Sequence, residues 1–533
     1  QRWGMCSVNM PWCRYVLLLC ATVQLCACER ALVLFPVASR SHTLLGDHLV
    51  TTLLNGGHNV TYITTFTRVR ATERLRVIDI SSAADDATER SGIPRLPELA
   101  SSRLPSHQFL LDGARTAERA VRHPAVQALM KDTAEEFDVV LAEWYYSGLL
   151  APLAAVFDCP LVWYSSVDAS WLSLQLVHEA SSPTLFVDPL AAALPPLPPS
   201  VGDRVYRIGR QAYLSAWVYY ITNYVESPAY YEIYQLAIQR RGRSPPLYED
   251  LVDSGAMLLV NSQPLLGQGL PLPHCAKYVG GHHIEGSDAT LPKNLQQLLD
   301  SAKHGVIYFN LGGSVSEDLP VAMKQELLRA FRQVEQTVVW KYRGQLDYVP
   351  GNVHLLRKAP QLAVLKHPNT VMMITHGGFL SYMEAMYHGV PIIGMPVQGD
   401  QLLTVDLAAS RGRGLKVPVS SMIGYRVKEA IIEILGNYSY RSNAKEASLV
   451  LQNPLVPMKQ ELLYWIEHVM RTRGAPHLRS PALQLSVTER FHLDVIAVFI
   501  MLAWFLSKVA KLVKVYWNDF GTDGQDLDDK KNE

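Results

Sequence analysis

The sequence predicts an α/β protein: two doubly wound domains with a cleft between them, and a transmembrane helix near the C-terminus. Three observations predict it. The chain has 533 residues, too many for one compact core. Short β-rich runs alternate with stretches of helical spacing, and this happens in two sets. A long apolar segment then precedes a polar tail.

The first set begins with Ala31-Leu32-Val33-Leu34-Phe35, a short buried strand. A turn over Pro36 to His42 leads into helical spacing from Leu44 to Leu54, which Gly56-Gly57 stops before the β-rich run Asn59 to Thr64. Phe137 to Ala142 is a further strand, Gly148 to Phe157 a helix, and Leu161 to Tyr164 another strand. Pro195-Pro196-Leu197-Pro198-Pro199 can be neither helix nor central strand. The stretch from Tyr213 to Tyr234 holds seven tyrosines and Trp217. It lines an aromatic acceptor pocket, touches the membrane surface, or is a tyrosine-rich helical hairpin packing on its own domain, and composition does not choose among these. Near Gly280-Gly281-His282-His283 the first set ends. The second runs through strands Val306 to Phe309, Thr337 to Lys341 and Val371 to Thr375, with helices from Pro320 to Glu335 and from Leu380. Ligands of such sheets bind beyond the carboxyl ends of the strands.

The ends address a membrane. Arg14, the apolar run Tyr15 to Cys28 and the small residues Cys26-Ala27-Cys28 describe a secretory signal peptide over residues 1–28. Residues before Met10 read as leader or as a start assigned too early. Val495 to Leu506 is apolar without a break, and Lys508, Lys511 and Lys514 share the helical face that follows. Their stems reach a headgroup layer, so 493–517 is long enough to span. A helix lying in the interface is the alternative. Lysines at the far end predict a cytoplasmic tail, 518–533. Lys530-Lys531-Asn532-Glu533 is similar to a dilysine retrieval signal, so the expected location is the endoplasmic reticulum membrane, single-pass type I, with the body lumenal. Asn59-Val60-Thr61 and Asn437-Tyr438-Ser439 are glycosylation sequons. Lys plus Arg and Asp plus Glu each number 49, which gives no basis for a nucleic-acid partner. Cys159 and Cys275 are the two cysteines of the body, read as buried thiols or as one bridge.

One ordered series carries chemistry. It runs Ala359-Pro360-Gln361 through His367-Pro368, then Ile374-Thr375-His376-Gly377-Gly378, Glu384-Ala385, Gly389-Val390-Pro391 and Gly399-Asp400-Gln401. A glycine turn at the end of a buried strand lets backbone approach a phosphate, and the amides of the following helix point at it. This series resembles the signature of the UDP-glycosyltransferase family, most closely its membrane-bound insect branch. The resemblance extends to Phe35-Pro36, Ser41-His42, Lys303 to Phe309 and His492-Leu493-Asp494-Val495. It implies the GT-B fold, with a Rossmann-like acceptor domain over 29–284, a Rossmann-like UDP-sugar domain over 285–455 and C-terminal helices over 456–492.

The resemblance also implies roles. His42 is the general base that takes a proton from the acceptor hydroxyl, oriented by Glu143. Gly312, Ser314, Gln361, His376, Gly378, Ser381, Glu384, Asp400 and Gln401 bind the UDP-sugar, with His376 at phosphate, Glu384 at the ribose hydroxyls, and Asp400 and Gln401 at the sugar. The expected reaction is inverting transfer of a hexose, glucose before glucuronate, to a small lipophilic acceptor such as a xenobiotic, phenol or steroid, as in detoxification. No metal and no cofactor is expected, and the sequence leaves open whether the chain is a homo-oligomer. Four positions depart from the family pattern. Lys358 stands where a tryptophan usually stacks on uracil, and Glu143 replaces Asp. Phe309-Asn310-Leu311-Gly312-Gly313-Ser314 alters a glycine–serine turn, and Leu380-Ser381 replaces Asn-Ser. A fold-retaining protein that binds UDP poorly is the alternative those departures raise.

Overall fold

The computed structural model describes residues 29–83, 106–177, 190, 198–287, 289–312, 319–479, 486–490 and 492–529. The leader 1–28, most of the proline-rich run, Gly313, Ser314, Lys530 and Lys531 lie outside them. The described residues form two units, one ending at Leu478 and one beginning at Arg479.

The first unit holds two parallel sheets. One has seven strands in the order β3-β2-β1-β4-β5-β6-β7. These are β1 (Arg30–Phe35), β2 (Asn59–Thr64), β3 (Leu75–Asp79), β4 (Val139–Trp144), β5 (Leu161–Ser165), β6 (Met257–Val260) and β7 (Ala276–Tyr278). The other has six, ordered β10-β9-β8-β11-β12-β13. These are β8 (Val306–Asn310), β9 (Thr337–Lys341), β10 (Val353–Leu356), β11 (Thr370–Thr375), β12 (Ile392–Gly394) and β13 (Gly414–Lys416). Both sheets reverse their strand order once, between β1 and β4 and between β8 and β11. In a doubly wound sheet that reversal opens a crevice beyond the strand ends, because the flanking helices leave to opposite faces.

Strands buried on both faces need apolar side chains at consecutive positions. In β1, Ala31, Val33 and Phe35 enter one core while Leu32 and Leu34 enter the core on the opposite face. β8 divides in the same way, with Ile307 and Phe309 on one side and Val306 and Tyr308 on the other. The sheets are tied by Arg411, whose guanidinium donates to the carbonyls of Leu265 (2.7 Å), Leu266 (2.6 Å) and Gly267, and by Arg413, which donates to Leu265 (2.8 Å).

Two features differ from the sequence reading. The tyrosine-rich stretch is not a hairpin. Helix Val201–Ile221 runs through a π turn, Thr222–Glu226, into helix Ser227–Arg240. Ile221, Thr222, Glu226 and Ser227 all keep right-handed helical backbone, so nothing reverses the chain. Pro228 cannot donate to the ladder, and the wider π turn just before it absorbs the mismatch. Tyr230 and Tyr234 are fully buried, whereas Tyr219 and Tyr224 face outward. The second difference is helix Met458–Arg471, grouped by sequence position with the membrane-proximal segment. Its Leu462, Ile466, Val469 and Met470 complete the core beneath β1 and β4. Apolar residues at that spacing announce a buried face but not its distant partner.

Cys159 and Cys275 are unbridged, and Cys275 donates its thiol to the Val177 carbonyl at 3.1 Å. Asn437 is exposed and caps helix Tyr438–Gln452, while Asn59 opens β2 and is half-buried.

In the second unit, helix Leu493–Asp529 contains a 25-residue apolar stretch, Leu493–Trp517, in which 18 consecutive residues have mean hydropathy 2.0 and none of them is buried. At 1.5 Å per residue that is roughly 37 Å, enough to cross a ~30 Å hydrocarbon layer. Lys508 sits over the Trp504 ring at 5.4 Å, its stem lying along the apolar helix.

Candidate active site

The two strand-order reversals carry the two halves of the site. After β1 the chain turns through Pro36 to Ser39, and helix Arg40–Asn55 places His42 in its first turn. Across the reversal, β4 delivers Glu143 with a fully buried side chain. His42 Nδ1 and Glu143 Oε1 are 2.5 Å apart. Ser166, just past β5, donates to the same oxygen. Both partners of Oε1 are donors, so His42 presents its Nδ1 proton to Glu143 and its Nε2 faces away as the acceptor. Burial opposes the imidazolium, but the charge and hydrogen bond of Glu143, with a smaller effect from Asp400, outweigh it and hold the His42 pKa above its ordinary value. The extra methylene of Glu143, relative to aspartate, does not prevent the contact.

Aromatic rings surround this pair. Tyr145, two residues after Glu143, sets its ring edge-on to His42 with centroids 5.8 Å apart. Tyr146 lies 5.5 Å from Tyr145 and 6.3 Å from Phe109 of helix Ser106–Arg122. Phe109 in turn faces Gly399, where a Cβ would stand 3.8 Å from its ring. Sequence reading had singled out neither Tyr145 nor Phe109. Tyr145-Tyr146 directly follow Glu143-Trp144, a signal that was available, whereas nothing local marks Phe109.

The second half is built beyond β8 and β11. Asn310 ends β8, donates to Gln361 Oε1 at 2.6 Å and accepts from the Gly312 amide at 3.0 Å. Gln361 opens helix Gln361–Lys366 and donates to Glu384 Oε2 (2.6 Å) and Ser381 Oγ (3.2 Å). Five residues from three segments distant in sequence thus form one chain of hydrogen bonds. Asn310, read from sequence as a departure, is what ties the Gly312 turn to Gln361.

β11 ends at Thr375, whose hydroxyl accepts from the Gly377 amide at 3.3 Å. Gly377 has φ +85°, and a Cβ there would collide with Val405 and stand 3.3 Å from the Gln401 carbonyl. Gly378 caps helix Phe379–Tyr387, and a Cβ on it would stand 2.7 Å from His376 Nε2. The turn is therefore bare backbone at a helix N-terminus, which suits an anion. Burial, with Lys341 nearby, lowers the His376 pKa to about 4, so its imidazole is neutral at pH 7 and offers one N–H. Replacing Gly377 with Ala is expected to cost about 1–3 kcal/mol of stability through left-handed backbone strain, which thermal unfolding checks.

Asp400 stands at the start of helix Gln401–Ser410. Burial raises its pKa against a hydrogen bond from the Phe379 amide and the field of His42, so this end of the second sheet lies within electrostatic reach of His42. Gln401 Oε1 accepts from the Val397 (2.9 Å) and Gln398 (3.2 Å) amides, which pins the loop before it. Lys358 is exposed. Asn59 and Asn437 share no hydrogen bond with either cluster, and Ser314 is not among the described residues.

Residues 127–522 match the family model described as UDP-glucoronosyl and UDP-glucosyl transferase. The chain belongs to this family. It is 27% identical to UDP-glucosyltransferase 2 of Dactylopius coccus over 91% of this chain and 94% of that one. It is 35% identical to UDP-glucuronosyltransferase 2A3 of Mus musculus over 42% of each. Among solved structures, CalG4, the calicheamicin glycosyltransferase, superposes with a TM-score of 0.56 at 17% identity, covering 84% of this chain and all of that one. That likeness identifies the two-sheet arrangement as the GT-B fold. This UDP-glycosyltransferase moves a sugar from a UDP-sugar to an acceptor.

Proposed function

We propose that this UDP-glycosyltransferase transfers glucose from UDP-glucose to a hydroxyl of a small lipophilic acceptor, with inversion and with His42 as general base. The observation that carries this reading is the His42–Glu143 pair at the β1/β4 reversal. A hydroxyl is a poor nucleophile until its proton is removed as it attacks, and an imidazole tied through Nδ1 to a buried carboxylate accepts that proton at Nε2. The acceptor oxygen forms a bond to the anomeric carbon while the bond from that carbon to the UDP oxygen breaks on the opposite side. UDP leaves with the negative charge, met by the amides of the Gly377-Gly378 turn and by the neutral His376 N–H. Glu384 takes the ribose hydroxyls, supported by Gln361. Asp400 and Gln401 read sugar hydroxyls, and Ser381 with Gly312 completes the phosphate end.

Glucose as donor is favoured by the relatives spanning most of the chain. They include UDP-glucosyltransferase 2 and the Ecdysteroid UDP-glucosyltransferase of Spodoptera littoralis nuclear polyhedrosis virus, 26% identical over 88% of this chain. The second name also points to steroid-like acceptors. The aromatic surroundings of His42 (Tyr145, Tyr146 and Phe109) suit a flat apolar molecule. The span at Leu493–Trp517 supports a type I protein of the endoplasmic reticulum whose catalytic body is lumenal and receives acceptors that partition into lipid.

Calorimetric titration of the full-length chain with UDP tests the nucleotide half, and absence of binding at millimolar UDP would sink the proposal. A screen of UDP-glucose against UDP-glucuronate with phenolic and steroid acceptors tests donor and acceptor. Lys358→Trp is expected to strengthen UDP binding by ~1–3 kcal/mol by restoring an aromatic platform for uracil. The same titration reads it.

A further inference from the structure

The crossover between the sheets contributes a buried histidine that none of the roles above uses. His283 follows Gly280-Gly281-His282 after β7 and is fully buried. Its Nε2 stands 3.5 Å from Glu384 Oε1. Neither of its ring nitrogens makes a hydrogen bond among the described residues. A buried imidazole without partners is costly, and it persists where the surroundings hold it for a purpose.

The surroundings hold this one closely. His282 Nε2 lies 2.8 Å from the Tyr164 hydroxyl, and Gln263 Nε2 donates to the Gly280 carbonyl at 2.8 Å. Gly281 has φ +100°, and a Cβ there would collide with Met458. A Cβ on Gly280 would stand 2.7 Å from Met383 Cε, on the helix that carries Glu384. The crossover thus packs against the Met383 side chain of helix Phe379–Tyr387, with His283 Nε2 nearest the Glu384 oxygen that Gln361 leaves open. Gln361 holds the other oxygen at 2.6 Å.

We propose that His283 is a positioning residue for the donor: its imidazole fixes the Glu384 carboxylate in the orientation that takes the ribose hydroxyls of a UDP-sugar. This rests on the assignment of Glu384 to ribose. A carboxylate that accepts from a diol must hold its plane, and a single amide partner leaves it free to swing. A second donor on the far oxygen removes that freedom, and the 3.5 Å separation places the imidazole within a small adjustment of a hydrogen bond to it.

The test uses the full-length chain in detergent, titrated with UDP and with 2′,3′-dideoxy-UDP. His283→Ala is expected to raise the UDP Kd about tenfold, the scale of one hydrogen bond to a charged group. It is expected to raise KM for the donor with little change in kcat. His283→Gln, which can bring an amide nitrogen to the place of Nε2, should recover most of the loss, whereas His283→Asn, which cannot reach, should not. The His283→Ala effect should vanish with dideoxy-UDP and in the Glu384→Ala background. Equal behaviour of the Gln and Asn variants, losses that add in the double variant, or wild-type affinity in His283→Ala would each overturn the proposal. If Glu384→Ala itself binds UDP normally, the ribose assignment fails and takes the proposal with it. Melting temperatures separate misfolding from lost contact, and the Asn and Gln variants keep the cavity filled.

Discussion

Replacing His42 with Ala is expected to lower kcat by about 10²–10⁴-fold and to leave UDP affinity within a factor of about two. The expectation follows from position. His42 lies on the helix that follows β1, against Glu143 and the edge of Tyr145. The Gly377-Gly378 turn, Gln361 and Glu384 lie at the strand ends of the second sheet. Under the proposed mechanism, removing the imidazole takes the proton acceptor from the reacting hydroxyl without touching the residues assigned to nucleotide. Initial rates at saturating donor and calorimetric UDP titration read the two effects separately. The wild-type rate also carries a sign. A general base works when neutral, and the His42 pKa is raised by Glu143 against burial. The rate therefore climbs with pH through a midpoint above the ordinary histidine value, and acid loss of activity begins earlier than for a solvated imidazole.

The second large effect is at Glu143. Glu143→Gln keeps an oxygen that can accept from both His42 and Ser166 but removes the charge. Two consequences follow together. The acid limb of the rate moves to lower pH, because burial then acts on His42 without the carboxylate that opposed it. The plateau rate falls by roughly 10²–10⁴-fold, because the imidazolium formed in the transition state loses its counter-charge, as for the carboxylate of a serine-protease triad. A pH–rate profile distinguishes this from mere disorder of the histidine, which would lower the plateau without moving the limb. A limb that stays in place would mean that Glu143 orients the ring without setting its proton affinity.

Much of the fold was legible because its strands are short, apolar and bounded by turn residues. The ends of Asn59–Thr64 and of Thr337–Lys341 can be read from sequence alone. Glycine pairs marked the close of the first helix and the turn after β11. What was not legible depends on partners distant in sequence. Helix Met458–Arg471 shows an apolar face, but only the folded chain places that face under β1. The hairpin expected over Tyr213 to Tyr234 fails because the missing donor of Pro228 is absorbed by the π turn before it, without a chain reversal. Asn310 looked like a loss at a phosphate turn, and its ties to Gln361, 51 positions on, and to Gly312 are invisible in a linear reading. His283 faces Glu384 by way of a crossover, and no local pattern announces it. His42 and Glu143 are 101 positions apart and were paired only through the family resemblance. Geometry now supplies the physical reason: both lie at the one point where the first sheet reverses its strand order.

The central claim is that an acceptor oxygen, deprotonated by His42, displaces UDP from the opposite face of the sugar. Proton NMR of the product made from UDP-α-D-glucose measures this in one step, through the coupling constant of the anomeric proton. A β-linked glucoside is the predicted result, and an α-linked one would contradict single displacement at this site.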